Sequence, residues 1–148
     1  MNTQLDCTLT KLIPASPEAV FKAWLDPAAL ARFIQPAPGM EAPRVQVDAR
    51  VGGKFSIIMK AGDQELPHRG EYKEIHAHER LVFTWISNHT ASESTVTLTF
   101  RRLETGGTEL TLHHVGFPTE RARNDHRGGW TRIVELLATA GVSTPVAG

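Results

Sequence analysis

The hydrophobic positions of this chain change period along its length, and each change predicts a different element. Residues 3–13 alternate loosely and predict a first strand. Ser16-Pro17-Glu18 has the cap, proline and acidic residue of a helix start, and Asp26-Pro27 repeats the signal. Two short helices are therefore expected after the first strand.

From about residue 43 the apolar residues recur at every second position, which is typical of strands. A change of phase between Tyr72 and Ile75 predicts a bulge. Short turns rich in Gly and Asp separate the rows and predict an antiparallel meander of about six strands. The rows are Val45 and Val47; Phe55, Ile57 and Met59; Gly70, Tyr72 and Ile75; Leu81, Phe83 and Trp85; Val96, Leu98 and Phe100; and Leu110, Leu112 and His114.

The last apolar stripe has helical spacing. Pro118-Thr119-Glu120 can begin this helix, and Gly141 can end it. Gly128-Gly129 inside the helix predicts either a kink or a close approach of its backbone to the sheet. The stripe consists of Trp130, Ile133, Val134, Leu137 and Ala138.

This order of elements predicts an α+β fold. A strongly curved antiparallel sheet of about six or seven strands should wrap around the long C-terminal helix, because one apolar sheet face needs a cover. Curling around a single helix leaves space near one end. We expect one domain over residues 1–141 and a flexible tail over residues 142–148.

Charge and composition narrow the function classes. The 148 residues contain 16 basic and 16 acidic side chains, so no global charge attracts nucleic acid or an anionic membrane. A signal peptide and a membrane-spanning apolar run are not apparent, so we expect a cytoplasmic protein without membrane insertion. The single cysteine, Cys7, makes neither an intrachain disulfide nor a metal framework.

Motifs for catalysis are few. The chain has no nucleophile elbow, no phosphate-binding glycine loop and no zinc-protease pair of histidines. His76 and His78 resemble metal ligands, but two ligands in a turn are a weak signal, and a solvated turn explains them as well. We therefore expect no cofactor and no metal, and assign no catalytic residue.

His114 is the polar residue of most interest, because strand alternation directs it inward at the end of an apolar row. A buried imidazole needs a partner, which could be His126, Asp125, water or a ligand. Three roles stay open: a core histidine that ties the strand to the last helix, a group that orients a ligand, or an acid/base catalyst. Tyr72 is the second candidate for a polar contact.

Many large apolar side chains are directed at the same helix, which favours a lined cavity of about 300–1,000 Å³ over plain core packing. The candidate ligand-binding residues are Trp24, Phe33, Phe55, Ile57, Met59, Tyr72, Phe83, Trp85, His114, Phe117, His126, Trp130 and Ile133.

Several segments also resemble a known family. They are residues 15–24 (ASPEAVFKAW), 26–30 (DPAAL), 48–55 (DARVGGKF), 79–85 (ERLVFTW), 106–112 (GGTELTL), 114–117 (HVGF) and 126–130 (HRGGW). In this order they resemble the SRPBCC, or START-like, superfamily with its birch-pollen allergen (Bet v 1-like) fold. Within it, they are most similar to the bacterial branch related to the C-terminal domain of the Hsp90 ATPase activator.

The resemblance implies the helix-grip fold and a cavity, but no reaction. The curved sheet, the aromatic side chains and the few inward polar groups favour binding of a hydrophobic small molecule, either aromatic or polycyclic. The family analogy adds a chaperone (Hsp90)-associated interaction domain as an alternative. A third alternative is a cyclase- or hydrolase-type enzyme in which His114, His126 or Tyr72 moves protons. A homodimer is compatible with the sequence. Residues 33–36 (FIQP) depart from the family, where many relatives have a tryptophan and a glycine, so the mouth of the cavity should differ.

Overall fold

Seven antiparallel strands form one curled sheet, and helix α3 lies against its inner face. The computed structural model describes residues 5–87 and 93–141. In chain order the elements are β1 (Asp6–Ile13), α1 (Pro17–Leu25), α2 (Pro27–Phe33), β2 (Met40–Val47), β3 (Lys54–Ala61), β4 (Gln64–His76), β5 (Arg80–Trp85), β6 (Ser94–Arg102), β7 (Thr108–Val115), α3 (Glu120–Leu136) and a final π-helical turn (Leu137–Gly141).

Short polar side chains start all three helices. The Ser16 hydroxyl accepts from the backbone N–H of Ala19 at the start of α1, and the Asp26 carboxylate accepts from Ala28 in α2. Thr119 caps α3 in the same way. Each cap satisfies a backbone donor that the first helical turn leaves open. The two helix starts predicted at Ser16 and Asp26 are confirmed.

The strands follow the order β1-β7-β6-β5-β4-β3-β2, so β1 and β2 are the two edges of the sheet. The register between β4 and β5 shifts between Tyr72 and Glu74, which confirms the predicted bulge. A second irregularity lies between Glu41 and Arg44 of β2. The α+β helix-grip architecture predicted from the sequence is therefore confirmed.

Alternation along each strand places apolar side chains on the inner face of the sheet, and α3 covers them. Phe83 lies opposite Val96 between β5 and β6, and Leu98 lies opposite Leu112 between β6 and β7. The α3 side of this core is made by Ala122, Trp130, Ile133, Val134 and Leu137, all of them buried.

The close approach expected at Gly128-Gly129 occurs, but not toward the sheet. A Cβ added to Gly129 would lie 2.9 Å from the Cβ of Pro36, in the segment between α2 and β2, whereas one added to Gly128 would meet nothing within 4 Å. The prediction of contact with the sheet was wrong, because the backbone of α3 at Gly129 approaches the connection after α2 instead.

The tail expected at residues 142–148 lies outside the described residues. Within the described ranges, none of the helices combines the length and apolar character needed to cross a membrane.

Candidate functional site

A cavity of about 220 Å³ lies between α3, the inner face of β3 to β5, and the connection from α2 to β2. We call it the sheet–helix cavity. Its walls are formed by Pro36, Ala37, Met40, Met59, Leu66, His68, Trp85, Asp125, His126, Gly129, Trp130 and Ile133.

Local structure explains how these side chains meet. Met59 of β3 lies directly opposite Leu66 of β4, and His68 follows Leu66 on the same face of that strand. Trp85 ends β5 and contributes a ring beside His68, with 5.1 Å between the ring centroids. On α3, residues 125, 126, 129, 130 and 133 have the spacing of one helical face.

The floor of the sheet–helix cavity is apolar and its rim is mixed. Met59, Trp85 and Ile133 are buried, whereas Asp125 is exposed and His126 is half-buried. The His126 Nδ1 atom donates to the carbonyl oxygen of Ala122 over 2.8 Å, which fixes the orientation of that ring. Such a site can enclose an apolar molecule and offers polar groups at its entrance.

A second, much smaller space lies between the sheet and the helices. This crevice has a volume of about 20 Å³, which is room for roughly one water molecule. It is lined by Trp24, Leu30, Ile34, Phe55, Ile57, Tyr72, Phe83, Trp85 and Trp130. Trp85 and Trp130 therefore belong to the walls of both spaces.

Three indoles gather around this boundary. The Trp130 ring centroid lies 5.0 Å from that of Trp85 and 6.4 Å from that of Trp24. The Nε1–H group of Trp130 donates to His114 Nδ1 over 2.9 Å. Among the described residues, no partner accepts a hydrogen bond from Nε1 of Trp24 or Trp85, although both residues are 97% buried, with 3% of their surface exposed.

His114 takes part in a chain of three buried hydrogen bonds that joins α3 to the sheet. Since Trp130 donates to Nδ1, the neutral imidazole carries its proton on Nε2, which donates to Ser94 Oγ over 2.7 Å. The Ser94 hydroxyl donates in turn to the carbonyl oxygen of Trp85 over 2.7 Å. We call this chain the Trp130–His114–Ser94 relay.

The environment of His114 keeps it neutral. Its side chain is fully buried, and burial, helped by the nearby His126 and His113, lowers the pKa of the imidazole from 6.5 to about 3. Both ring nitrogens are engaged, so the arrangement fits a core histidine. Of the partners expected from the sequence, His126 contacts the ring only edge-on, at 5.3 Å between centroids, whereas Trp130 and Ser94 make the hydrogen bonds.

The nearest partners of Tyr72 differ from those of His114. Its ring contacts Phe55 and Phe83, and it is 2% exposed. Burial and the negative charge of Asp48 raise the pKa of its hydroxyl, so the group stays protonated. Tyr72 packs against Phe55 and Phe83, whereas both ring nitrogens of His114 are engaged by Trp130 and Ser94. The two proton-transfer candidates therefore have different partners and do not form an acid/base pair.

Within the ranges that the structure describes, no cluster of three or more His, Cys, Asp or Glu side chains could hold a metal ion. His76 and His78 are both exposed, and His76 Nε2 lies 3.1 Å from Glu74 Oε1.

Comparison with known proteins assigns the chain to a protein family. The profile of the activator of Hsp90 ATPase homolog 1-like protein family matches residues 14–141. The chain belongs to this family. No curated protein matches its sequence significantly.

Solved structures similar to this family member cover nearly its whole length. A protein from Chromobacterium violaceum is 29% identical, with a TM-score of 0.83, over 90% of this chain and 94% of that one. An Hsp90 activator from Plasmodium falciparum is 25% identical, with a TM-score of 0.71, over 90% and 93% of the two chains. An AHSA1-like protein from Aeromonas hydrophila, at 23% identity and a TM-score of 0.75, shares the fold over 92% and 94%.

The thirteen ligand-binding residues predicted from the sequence fall into three groups according to where the structure places them. Met59, Trp85, His126, Trp130 and Ile133 line the sheet–helix cavity. Trp24, Phe55, Ile57, Tyr72 and Phe83 line the crevice, together with Trp85 and Trp130. Phe33, His114 and Phe117 are buried but line neither space. The cavity is also smaller than the expected range.

Sequence reasoning missed three groups that matter here. Leu66 and His68 precede Gly70 and Tyr72 at every second position of β4, so the row could have been extended backward. Ser94 begins the inward row of β6 in the same way. Pro36, Ala37 and Met40 gave no such signal, because their place at the cavity depends on where the connection after α2 lies.

Proposed function

We propose that this protein binds a small apolar molecule of one or two rings in the sheet–helix cavity. The cavity itself supports the proposal most directly, since it combines an apolar floor with polar groups at the rim. Membership of the Hsp90 activator-like family is compatible with it. The binding residues are Met59, Trp85, His126, Trp130 and Ile133, to which we add Ala37, Leu66 and His68.

The volume of the cavity limits the size of the ligand. An apolar cavity of roughly 150 Å³ can hold benzene. A cavity of about 220 Å³ therefore suits a substituted benzene or a compact bicyclic molecule. Larger polycyclic molecules, which the sequence left open, exceed it.

Filling the cavity mouth tests the proposal. Ala37 is half-buried in the cavity wall, whereas Ala28 is exposed on α2. Titration with naphthalene, followed by tryptophan fluorescence, should show saturable binding to the wild-type protein. Ala37→Phe should weaken binding about tenfold or more, which corresponds to a loss of about 1.4 kcal/mol, and Ala28→Phe should not.

A steroid such as progesterone serves as the oversized control ligand and should not bind. Equal naphthalene affinity in the wild-type protein and Ala37→Phe would contradict this assignment of the site.

Association with Hsp90 is a second candidate, and the similarity to the Plasmodium falciparum activator favours it. It would be supported by an apolar docking patch. The exposed large apolar side chains among the described residues are Leu12, 60% exposed, and Val51, 61% exposed. Leu12 lies on edge strand β1, and Val51 lies in the turn before β3, toward the other end of the strand order, so they belong to different elements.

The test is the ATPase rate of purified Hsp90 from the source organism, measured with and without this protein. A rate that rises saturably supports the second candidate, and an unchanged rate at excess protein removes it.

A further inference from the structure

We propose that a groove on the outer face of the sheet is a further binding site. Its ligand is a small zwitterion, with a carboxylate and an ammonium group on a short aliphatic chain. The groove has a volume of about 470 Å³, and we call it the outer groove. The inference goes beyond the proposed function and does not depend on it. The lining of the outer groove includes Lys54, Ser56, Arg69, Glu71, Ile86 and Glu93.

The charged side chains of the outer groove lie on the sheet face that α3 does not cover. On β3, the exposed Lys54 and the half-buried Ser56 alternate with the buried Phe55. Arg69 of β4 and Glu93 before β6 are exposed as well. A dissolved molecule can therefore reach these groups without entering the sheet–helix cavity.

Strand pairing places opposite charges at the two ends of the outer groove. Arg69 exchanges two backbone hydrogen bonds with Ile86, the residue after β5. Ser94 lies opposite Trp85, so the same register places Glu93 beside Ile86. Arg69 and Glu93 thus flank Ile86, with about 10 Å between their backbones, because two strand spacings separate them.

Arg69 and Lys54 form the cationic end of the outer groove. Ser56 lies opposite Arg69 and two residues after Lys54 on the same face of β3, so both cations border the Ser56 hydroxyl. Neither cation forms an ion pair with another described residue. A carboxylate can accept two parallel hydrogen bonds from a guanidinium group and a third from an ammonium group.

The carboxylates of the outer groove select a zwitterion over a simple anion. Glu71 lies opposite Lys54, but its carboxylate contacts Lys73 at 3.4 Å. Glu93 has no ion-pair partner within the described ranges, so its charge is available to a ligand. A simple anion would be repelled by Glu93, and a simple cation by the two basic side chains. A zwitterion satisfies both ends and can lay its methylene groups over Ile86.

Three ligands of similar size test the inference on the wild-type protein. 6-Aminohexanoate has both charges, hexanoate lacks the ammonium group, and hexylamine lacks the carboxylate. In a ¹H–¹⁵N titration, 6-aminohexanoate should shift the amide signals of Ser56, Arg69 and Ile86 saturably. Hexanoate and hexylamine should each bind at least about threefold more weakly, because each loses an ion pair with an exposed side chain.

Two variants assign the ends of the ligand. Arg69→Gln should weaken 6-aminohexanoate binding about threefold or more, and Glu93→Gln should remove its advantage over hexanoate. Arg44→Gln is the matched control, because Arg44 is also exposed on the β2–β3 side of the sheet but is already paired with Glu65 at 2.9 Å. It should leave the affinity for 6-aminohexanoate unchanged.

The titrations can overturn the inference without any variant. Absence of a saturable shift at the three amides with 6-aminohexanoate removes the site, and equal affinities for the three ligands remove its zwitterion selectivity. Unchanged 6-aminohexanoate binding in Arg69→Gln would likewise contradict the assignment of the carboxylate to this end of the groove.

Discussion

Among single residues, His114 shows how a polar group can be accommodated in an apolar core. Each of its two nitrogens has a partner, and the donor and acceptor roles along the relay agree with one neutral tautomer. Protonation would add a proton on Nδ1, where Trp130 already donates. The relay therefore holds only while the imidazole is neutral, and acid should work against it.

The pKa of His114 gives the sign of this effect. In the unfolded chain the imidazole binds a proton below about pH 6.5, whereas in the folded protein it does so only near pH 3. The contribution of His114 to the free energy of unfolding should thus be complete above about pH 6.5. It should be lost as the pH falls toward 3, by up to about 1.4 kcal/mol per pH unit. Urea unfolding between pH 7 and pH 4.5 measures it.

His114→Gln should make the free energy of unfolding depend less steeply on pH, and the decrease in slope should correspond to about one bound proton. His113→Gln is the matched control, because the neighbouring His113 faces the other side of β7, where its Nε2 lies 2.8 Å from an Asp6 oxygen. It should keep most of the wild-type slope. The same slope in His114→Gln and the wild-type protein would contradict the assigned cause.

Trp130 links the relay to the aromatic cluster, so truncating it should be costly. Trp130→Ala should lower the free energy of unfolding by about 3–5 kcal/mol, because it empties a buried site. Trp130→Phe keeps most of the ring but leaves Nδ1 of His114 without its donor, and should cost about 1–3 kcal/mol. Urea denaturation at pH 7 measures both. A loss below about 1 kcal/mol in Trp130→Ala would show that the indole is not a core group.

Among the elements, the contact between α3 and the connection after α2 shapes the cavity. Gly129 lets Pro36 approach the helix backbone closely, and both residues lie in the cavity wall. A side chain at this position of α3 would displace the segment that forms the mouth. A Cβ added to the adjacent Gly128 would meet nothing within 4 Å. Substitution of Gly128 therefore reports on helix propensity alone, whereas substitution of Gly129 also reports on packing against Pro36.

Alanine at the two glycines should therefore have different effects. Gly128→Ala should stabilise the protein by up to about 1 kcal/mol, because alanine favours the helix. Gly129→Ala should lose that gain or become destabilising, since its Cβ would lie 2.9 Å from Pro36 Cβ. Thermal unfolding of both variants measures the difference, and equal gains would rule out the steric role of Gly129.

For the molecule as a whole, patterns of nearby residues in the sequence predicted the strands of the sheet, whereas contacts between distant residues determine the shape of the cavity. Alternation identified the rows of β3 and β5 to β7, and caps at Ser16 and Asp26 located the first helices. These signals lie within a few residues of one another. The cavity depends instead on Pro36 meeting Gly129, residues far apart in sequence, so its volume and its mouth could not be predicted.

Strand order should govern how the molecule opens. β5 and β6 have neighbours on both sides, whereas β2 is an edge strand with an irregular register. Amide hydrogen exchange should be slowest in β5 and β6 and fastest, among the strands, in β2. β1 is the control edge, because its pairing with β7 is regular and Lys11 contacts Glu135 of α3. Equal protection of β2 and β6 would contradict this order.

The irregular register of β2 also affects how copies of the molecule meet. A straight edge strand offers a row of free backbone groups on which a second sheet can grow into a fibril. The shift between Glu41 and Arg44 interrupts that row, and the charged Arg44, paired with Glu65, remains exposed beside it. The irregular register thus disfavours polymerisation through this edge. Restoring a regular register in β2 should promote self-assembly and lower solubility.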